Sequence, residues 1–305
     1  MYLFESLPWQ TILMGLAVLV ALIILNEIAR ANKWIALVLF IALPAYLAIE
    51  VWPTSAAPGT SVGTWFDYAK VYSVLTITLI IMGIRFIKGW STNKFLLFLP
   101  ALLLAINIME AVIRDFQCYS INGFEDGMMI TGGPWNIMNG IAGILNILAI
   151  SGWAGIIISK DKKKDMVWPD MLIYWIIAYD LWNFAYVYNC LGNHAFYAGI
   201  MVLLAATIPA LMIKKGAWLQ HRAQTLAFWM MFAMSYPAFM DSSEYAVKAS
   251  QNTTALFIIS AIALLANVAL IAYHVYKIVK SKRNPLKDEI YTDLEEHKLI
   301  VEANK

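Results

Sequence analysis

Residues 9–29 read WQTILMGLAVLVALIILNEIA, with Glu27 as the only charged side chain. A helix rises ~1.5 Å per residue, so ~20 predominantly apolar residues are what it takes to cross a ~30 Å hydrocarbon core. Comparable runs recur near 33–52, 67–88, 94–114, 134–158, 168–190, 194–213, 217–240 and 253–279. Together they predict an all-α, polytopic transmembrane helical bundle of about nine spans.

Composition points the same way. The chain is 61% hydrophobic and 14% charged, whereas a soluble domain carries ~25% charged residues. A net charge of +2 gives no basic footprint, so no nucleic acid partner is expected. Met1–Pro8 lacks a positive n-region, and the first run shows no small-residue cleavage site, so that run is expected to stay as a helix. One transmembrane helical domain is expected over 1–280 and a short cytoplasmic tail over 281–305. In the tail, Leu286, Ile290 and Leu294 recur every four residues and predict a short amphipathic helix.

Lys and Arg give the direction, because cytoplasmic loops retain them. With nine spans and the N-terminus outside, nineteen of the 22 fall on the cytoplasmic side. Only Lys70, Arg114 and Lys248 remain on the outer half. One span more or fewer would move the later loops to the other side and destroy this asymmetry. The C-terminus is therefore expected inside. Cys118 and Cys190 then both lie at the outer face, where one intrachain disulfide and two free thiols are both compatible with the sequence. No Cys/His metal spacing and no cofactor motif is present, so neither a metal nor a cofactor is expected.

A polar side chain in lipid is costly and turns towards the bundle or a watery cavity. In the fourth run Asn107, Glu110 and Arg114 share one face, and Glu110 and Arg114 are spaced for an ion pair. That pair either braces the helix or presents the Arg114 fork to an anionic or carbonyl ligand. The fifth run opens with Gly133-Pro134, a good helix start, and places Asn136, Asn139, Gly143 and Asn146 on one stripe. Asparagines there either glue helices together or line a site. In the sixth, Asp180 lies near mid-membrane with Asn183 one turn outward and no Lys or Arg expected at its depth. Asp180 is thus a candidate coupling site for a proton or cation, or a neutral acid bonded to a neighbour. The expected ligand-binding set is Asn107, Glu110, Arg114, Asn139, Asn146, Asp180 and Asn183, with no catalytic residue. Ser260, Asn267 and His274 form a weaker seam in the ninth run. Arg222, Glu27 and Arg30 read as anchors at the cytoplasmic end, and Glu50, Asp67 and Lys70 as solvated ends of the second and third runs or the frame of an entrance. Trp182, Tyr186 and Tyr188 read as pocket lining or interfacial anchors.

The runs EAVIRDF (110–116), GGPWNIMNGIAGILN (132–146) and WNFAYVYN (182–189) resemble an uncharacterised family of bacterial multi-pass membrane proteins. So do KKGAWLQHRAQTL (214–226) and RNPLKDEIYTD (283–293). The resemblance runs almost end to end and implies a bacterial inner-membrane location, with no activity and no site residues. The residues themselves suggest a small-solute secondary transporter or permease with its polar site on spans four to six. The alternatives are an integral membrane enzyme acting on a lipid or isoprenoid, and a channel or sensor. No nucleophile–base pair argues for the enzyme, and the polar stripe fades towards the cytoplasm, which argues against a pore. The expected partners are membrane lipid and a small-molecule or ion ligand, with a homo-oligomer left open.

Overall fold

The computed structural model describes residues 2–304. Its regular structure is nearly all α-helix. Among the described residues nine long helices stand in the order of the apolar runs: α1 (Trp9–Ala31), α2 (Lys33–Ser55), α3 (Trp65–Phe86), α4 (Lys94–Cys118), α5 (Pro134–Leu148), α6 (Ile173–Cys190), α7 (Tyr197–Met212), α8 (Trp218–Ser235) and α9 (Thr253–Ser281). A short α10 (Glu295–Asn304) ends the chain. Five helices, α1, α2, α3, α4 and α9, are long and apolar enough to cross a membrane, which makes this a membrane protein. The capping residues show why the helices start where they do. Asn93 and Asn252 accept two backbone N–H groups each at the heads of α4 and α9. At the head of α3, Asp67 reaches back to Thr64 N at 3.1 Å and Thr64 Oγ1 at 2.7 Å.

Neighbouring helices close a ring in the order α1, α8, α3, α4, α5, α9, α6, α7 and back to α1, while α6 also touches α4 and α5. The last three turns of α6 are almost wholly buried, and so is nearly all of α8. Because the protein shields these two from lipid, they tolerate the Asn, Gln, His and Arg that lower their hydropathy. One end of the bundle gathers Cys118, Cys190 and a two-stranded hairpin, β1 (Asn122–Glu125) with β2 (Met128–Thr131). Close contact between α5 and α6 depends on Gly143, where a side chain would collide with Trp182 and Val112.

At the other end, a connector holding β3 (Ile157–Ile158) and β4 (Met166–Val167) is locked down by charge. Arg30 gives two hydrogen bonds to Asp165, 3.0 and 2.8 Å, and Gln220 adds a third at 2.7 Å. Arg85 donates to the carbonyls of Arg30, Lys163 and Lys164. Burial pushes the Asp165 carboxyl up, but the Arg30 bonds and charge outweigh it, with Gln220 and Arg85, and hold it at about 2.

Several expectations need correcting. The fifth run does not stay helical over 134–158: α5 stops at Leu148, and the chain turns through Gly152 (φ +61°) into β3. The sixth begins at Ile173 rather than 168, because Trp168-Pro169-Asp170 forms a turn. Helix covers only 295–304 of the tail. The Asp170 carboxylate takes the backbone N–H groups of Ile290 (2.9 Å) and Tyr291 (2.9 Å), which a helix would have used internally. Residue 305 lies outside the described residues. Arg30, Asp67 and Lys70 are buried rather than solvated. Cys118 and Cys190 are both free and buried.

Candidate functional site

A cavity lies in the middle of the bundle, between α3, α4, α6, the start of α7 and α8. It offers about 50 Å³ to the centres of water-sized molecules. Since one water needs roughly 10–15 Å³ on that measure, the space suits a few waters or a small ion. Three helices each contribute a stripe at helical spacing: Phe66, Asp67 and Lys70 from α3, Asn183, Tyr186 and Val187 from α6, and Arg222, Leu226, Trp229 and Met230 from α8. Asn107 of α4 and His194, just before α7, complete the polar lining.

Lys70 is fixed first. Its Nζ donates to the Asn107 carbonyl at 2.7 Å and pairs with Glu110 Oε2 at 3.1 Å. Asn107 Nδ2 gives a bond to Ser73 Oγ at 2.9 Å, and Ser73 in turn reaches Glu110 at 3.2 Å. Arg222 extends from the second turn of α8 to Tyr179 Oη and Asn183 Oδ1, each at 3.3 Å. Three donors on lining residues have no protein partner: Arg222 Nη1, Tyr186 Oη and Trp229 Nε1. Buried polar groups are usually satisfied, so three unmet donors around one cavity call for a ligand or water. Trp229 also walls an apolar groove of about 360 Å³ between α1, α2 and α8.

The structure scatters the expected set. Asn107 and Asn183 line the cavity, and Glu110 joins them through Lys70 and Ser73. The Glu110–Arg114 pair does not form. Glu110 turns to α3, and Arg114 instead pairs with Asp126 at 3.0 Å and Glu125 at 3.9 Å on the hairpin. Asn139 donates to the fully buried Asp115 at 2.8 Å, and Cys190 Sγ donates to the same carboxylate at 3.3 Å. Asn146 bonds Asn267 of α9 at 3.0 Å, so it joins helices. Asp180 faces α7, accepting from Thr207 Oγ1 at 2.7 Å.

Sequence reasoning missed Arg222 and Trp229, and offered Lys70 and Tyr186 for a site only as one of two alternatives. Lys70 and Arg222 each stand about a turn inside their helices, and read more simply as a solvated end and an end anchor. Long cationic side chains near helix ends usually reach for the interface. Here the stems run inward because packed helices cover both ends. Trp229 had no signal beyond its type, since aromatics abound in this chain, whereas Tyr186 stood out by its place beside Asp180. Among the described residues no three His, Cys, Asp or Glu side chains gather as a metal site.

No curated protein and no solved structure matches the chain. A family model described as "Family of unknown function (DUF5692)" matches residues 5–303, nearly the whole of the bundle just described. The chain therefore belongs to the DUF5692 family.

Proposed function

We propose that this protein is a small-solute secondary transporter or permease whose binding site is the central cavity. In this reading all nine long helices span a bacterial inner membrane, with the N-terminus outside the cytoplasm and the C-terminus within. The charge distribution supports the orientation, because Arg30, Arg85, Lys163, Lys164, Lys214 and Lys277 collect at the Asp165 end of the bundle. The short α5 and the polar α6 and α8 are compatible with spanning because surrounding helices cover them.

The observation that carries the reading is the cavity itself. Ionisable and amide groups from α3, α4, α6 and α8 converge there, with three donors unpaired. Intramembrane polar sites of this kind mark solute pathways. The test is uptake into proteoliposomes, using a panel of small anions, cations and neutral solutes with and without a pH gradient. Ala198→Trp fills the cavity from α7 and should abolish the flux that wild type supports. Equal flux in wild type and a folded A198W protein would refute the cavity as the pathway.

A second reading, chemistry on a lipid, draws on one observation. Trp229 lines both the polar cavity and the groove formed by Val18, Leu22, Leu43, Leu47 and Phe232. Lipid co-purifying with wild type but not with a Leu22→Trp variant would favour it.

A further inference from the structure

Three of the four buried arginines are matched with acid. Arg30 is held by Asp165 and Glu27, Arg85 lies 3.9 Å from Asp165, and Arg114 lies 3.0 Å from Asp126. Arg222 is the exception. Among the described residues it has no carboxylate within 4.0 Å, although it is only 5% exposed. Its partners are neutral, Tyr179 and Asn183, and its Nη1 has none. No acid reaches it: Glu110 pairs with Lys70, Asp67, which lines the same cavity, accepts from Thr64, and Asp180, one turn from Asn183, accepts from Thr207 and leaves its Oδ1 without a partner.

A guanidinium does not shed its proton in a protein. A buried charge without a counter-ion is expensive, and most so at membrane depth. Of the other unmet groups on the lining, Trp229 Nε1 can only donate and Tyr186 Oη is a hydroxyl. Lys70 adds a second cation to the lining, paired with Glu110, and Asp67 adds one carboxylate. Size sets the last limit, because about 50 Å³ excludes anything much larger than a few waters.

We infer that the central cavity binds a small monovalent oxyanion, of the size of nitrate or formate, with Arg222 as its counter-charge. The planar fork of Arg222 suits two oxygens of such a ligand. Trp229 and Tyr186 complete its shell. This inference rests on the cavity being the binding site, and it adds the class of ligand.

Calorimetry on the full chain in nanodiscs tests it, with sodium nitrate and sodium formate as probes. Urea serves as a neutral planar isostere and sodium gluconate as an oversized anion. Nitrate or formate should bind saturably, and urea and gluconate should not. Arg222→Gln should weaken binding about tenfold or more, the loss expected for a charge-assisted contact. Arg222→Lys should fall between. Should R222Q fail to fold, the double variant Tyr186→Phe, Trp229→Phe keeps the charge, removes both donors, and should weaken binding severalfold. Unchanged affinity in folded R222Q, urea binding as well as nitrate, or no binding of either anion would each overturn the oxyanion inference. The cavity reading would still stand if A198W abolished whatever binding or flux wild type showed.

Discussion

Lys70 Nζ lies 3.1 Å from Glu110 Oε2, tying α3 to α4 at the wall of the cavity. This pair takes the place of the Glu110–Arg114 contact that the helical spacing suggested. Removing one partner of a buried pair leaves the other charge unmatched, at a cost of about 3 kcal/mol. Lys70→Met alone should therefore lower the melting temperature of the detergent-solubilised protein. Adding Glu110→Leu should recover most of that loss. A double variant no more stable than K70M would show that the pair contributes nothing as a pair.

Asp165 makes a pH prediction. Its carboxyl sits at about 2 in the folded chain against 3.8 for the free group. A depressed carboxylate stabilises the fold above its unfolded pKa, and that contribution fades as pH falls from about 4 towards 2. The shift corresponds to roughly 2 kcal/mol. Wild type should lose stability across this window, measured by acid unfolding. Asp165→Asn should be less stable at neutral pH and flatter below pH 4. An acid limb as steep in D165N as in wild type would place the sensitivity elsewhere.

The tail hangs on one side chain. Asp170 accepts from the backbone of Ile290 and Tyr291, and His274 Nδ1 meets Tyr291 Oη at 2.7 Å. Asp170→Ala should free the segment 283–294, so that the backbone at the already exposed Arg283 and Lys287 can enter the trypsin cleft. Mass spectrometry of the digest should show cleavage there many times faster than in wild type, with the bundle intact. Equal cleavage rates would mean that the apolar contacts of Ile290, Tyr291 and Ile300 hold the tail unaided.

Orientation is open to a direct check. Reporter fusions in a bacterial host after Lys162 and at the C-terminus should report a cytoplasmic location, and one after Gly123 a periplasmic one. Fusions after Lys162 and Gly123 reporting the same side would remove α5 from the set of spans.

The helices were legible because apolar length and flanking charge are local properties of the chain. All nine runs correspond to helices, and the errors concern where they end. Those ends depend on tertiary bonds: α5 stops where the connector folds back to Asp165, and the tail unwinds where Asp170 takes its N–H groups. The site was harder to read. Stripes of Asn139, Asn146 and Asp180 correctly marked buried faces. A stripe shows that a face is buried, though, and does not show which helix covers it. Neighbour α9 took one bond from Asn146 and α7 gave one to Asp180, while Asp115 took one from Asn139, leaving one oxygen of each of the three without a partner. Arg222 reads as an anchor in one dimension because its depth is shallow. Only the packing of α6 against α8 shows it turned inward to Asn183.

If a ligand sits in the cavity beside Arg222, Tyr186 and Trp229, a small anion should find the same place. Anomalous diffraction from crystals of the protein soaked in sodium bromide tests it most directly, since bromide is small, anionic and located without modelling bias. A peak should appear in contact with the Arg222 guanidinium inside the bundle and be absent in the A198W variant. Bromide found only on the surface, with the Arg222 guanidinium turned onto a carboxylate, would contradict it.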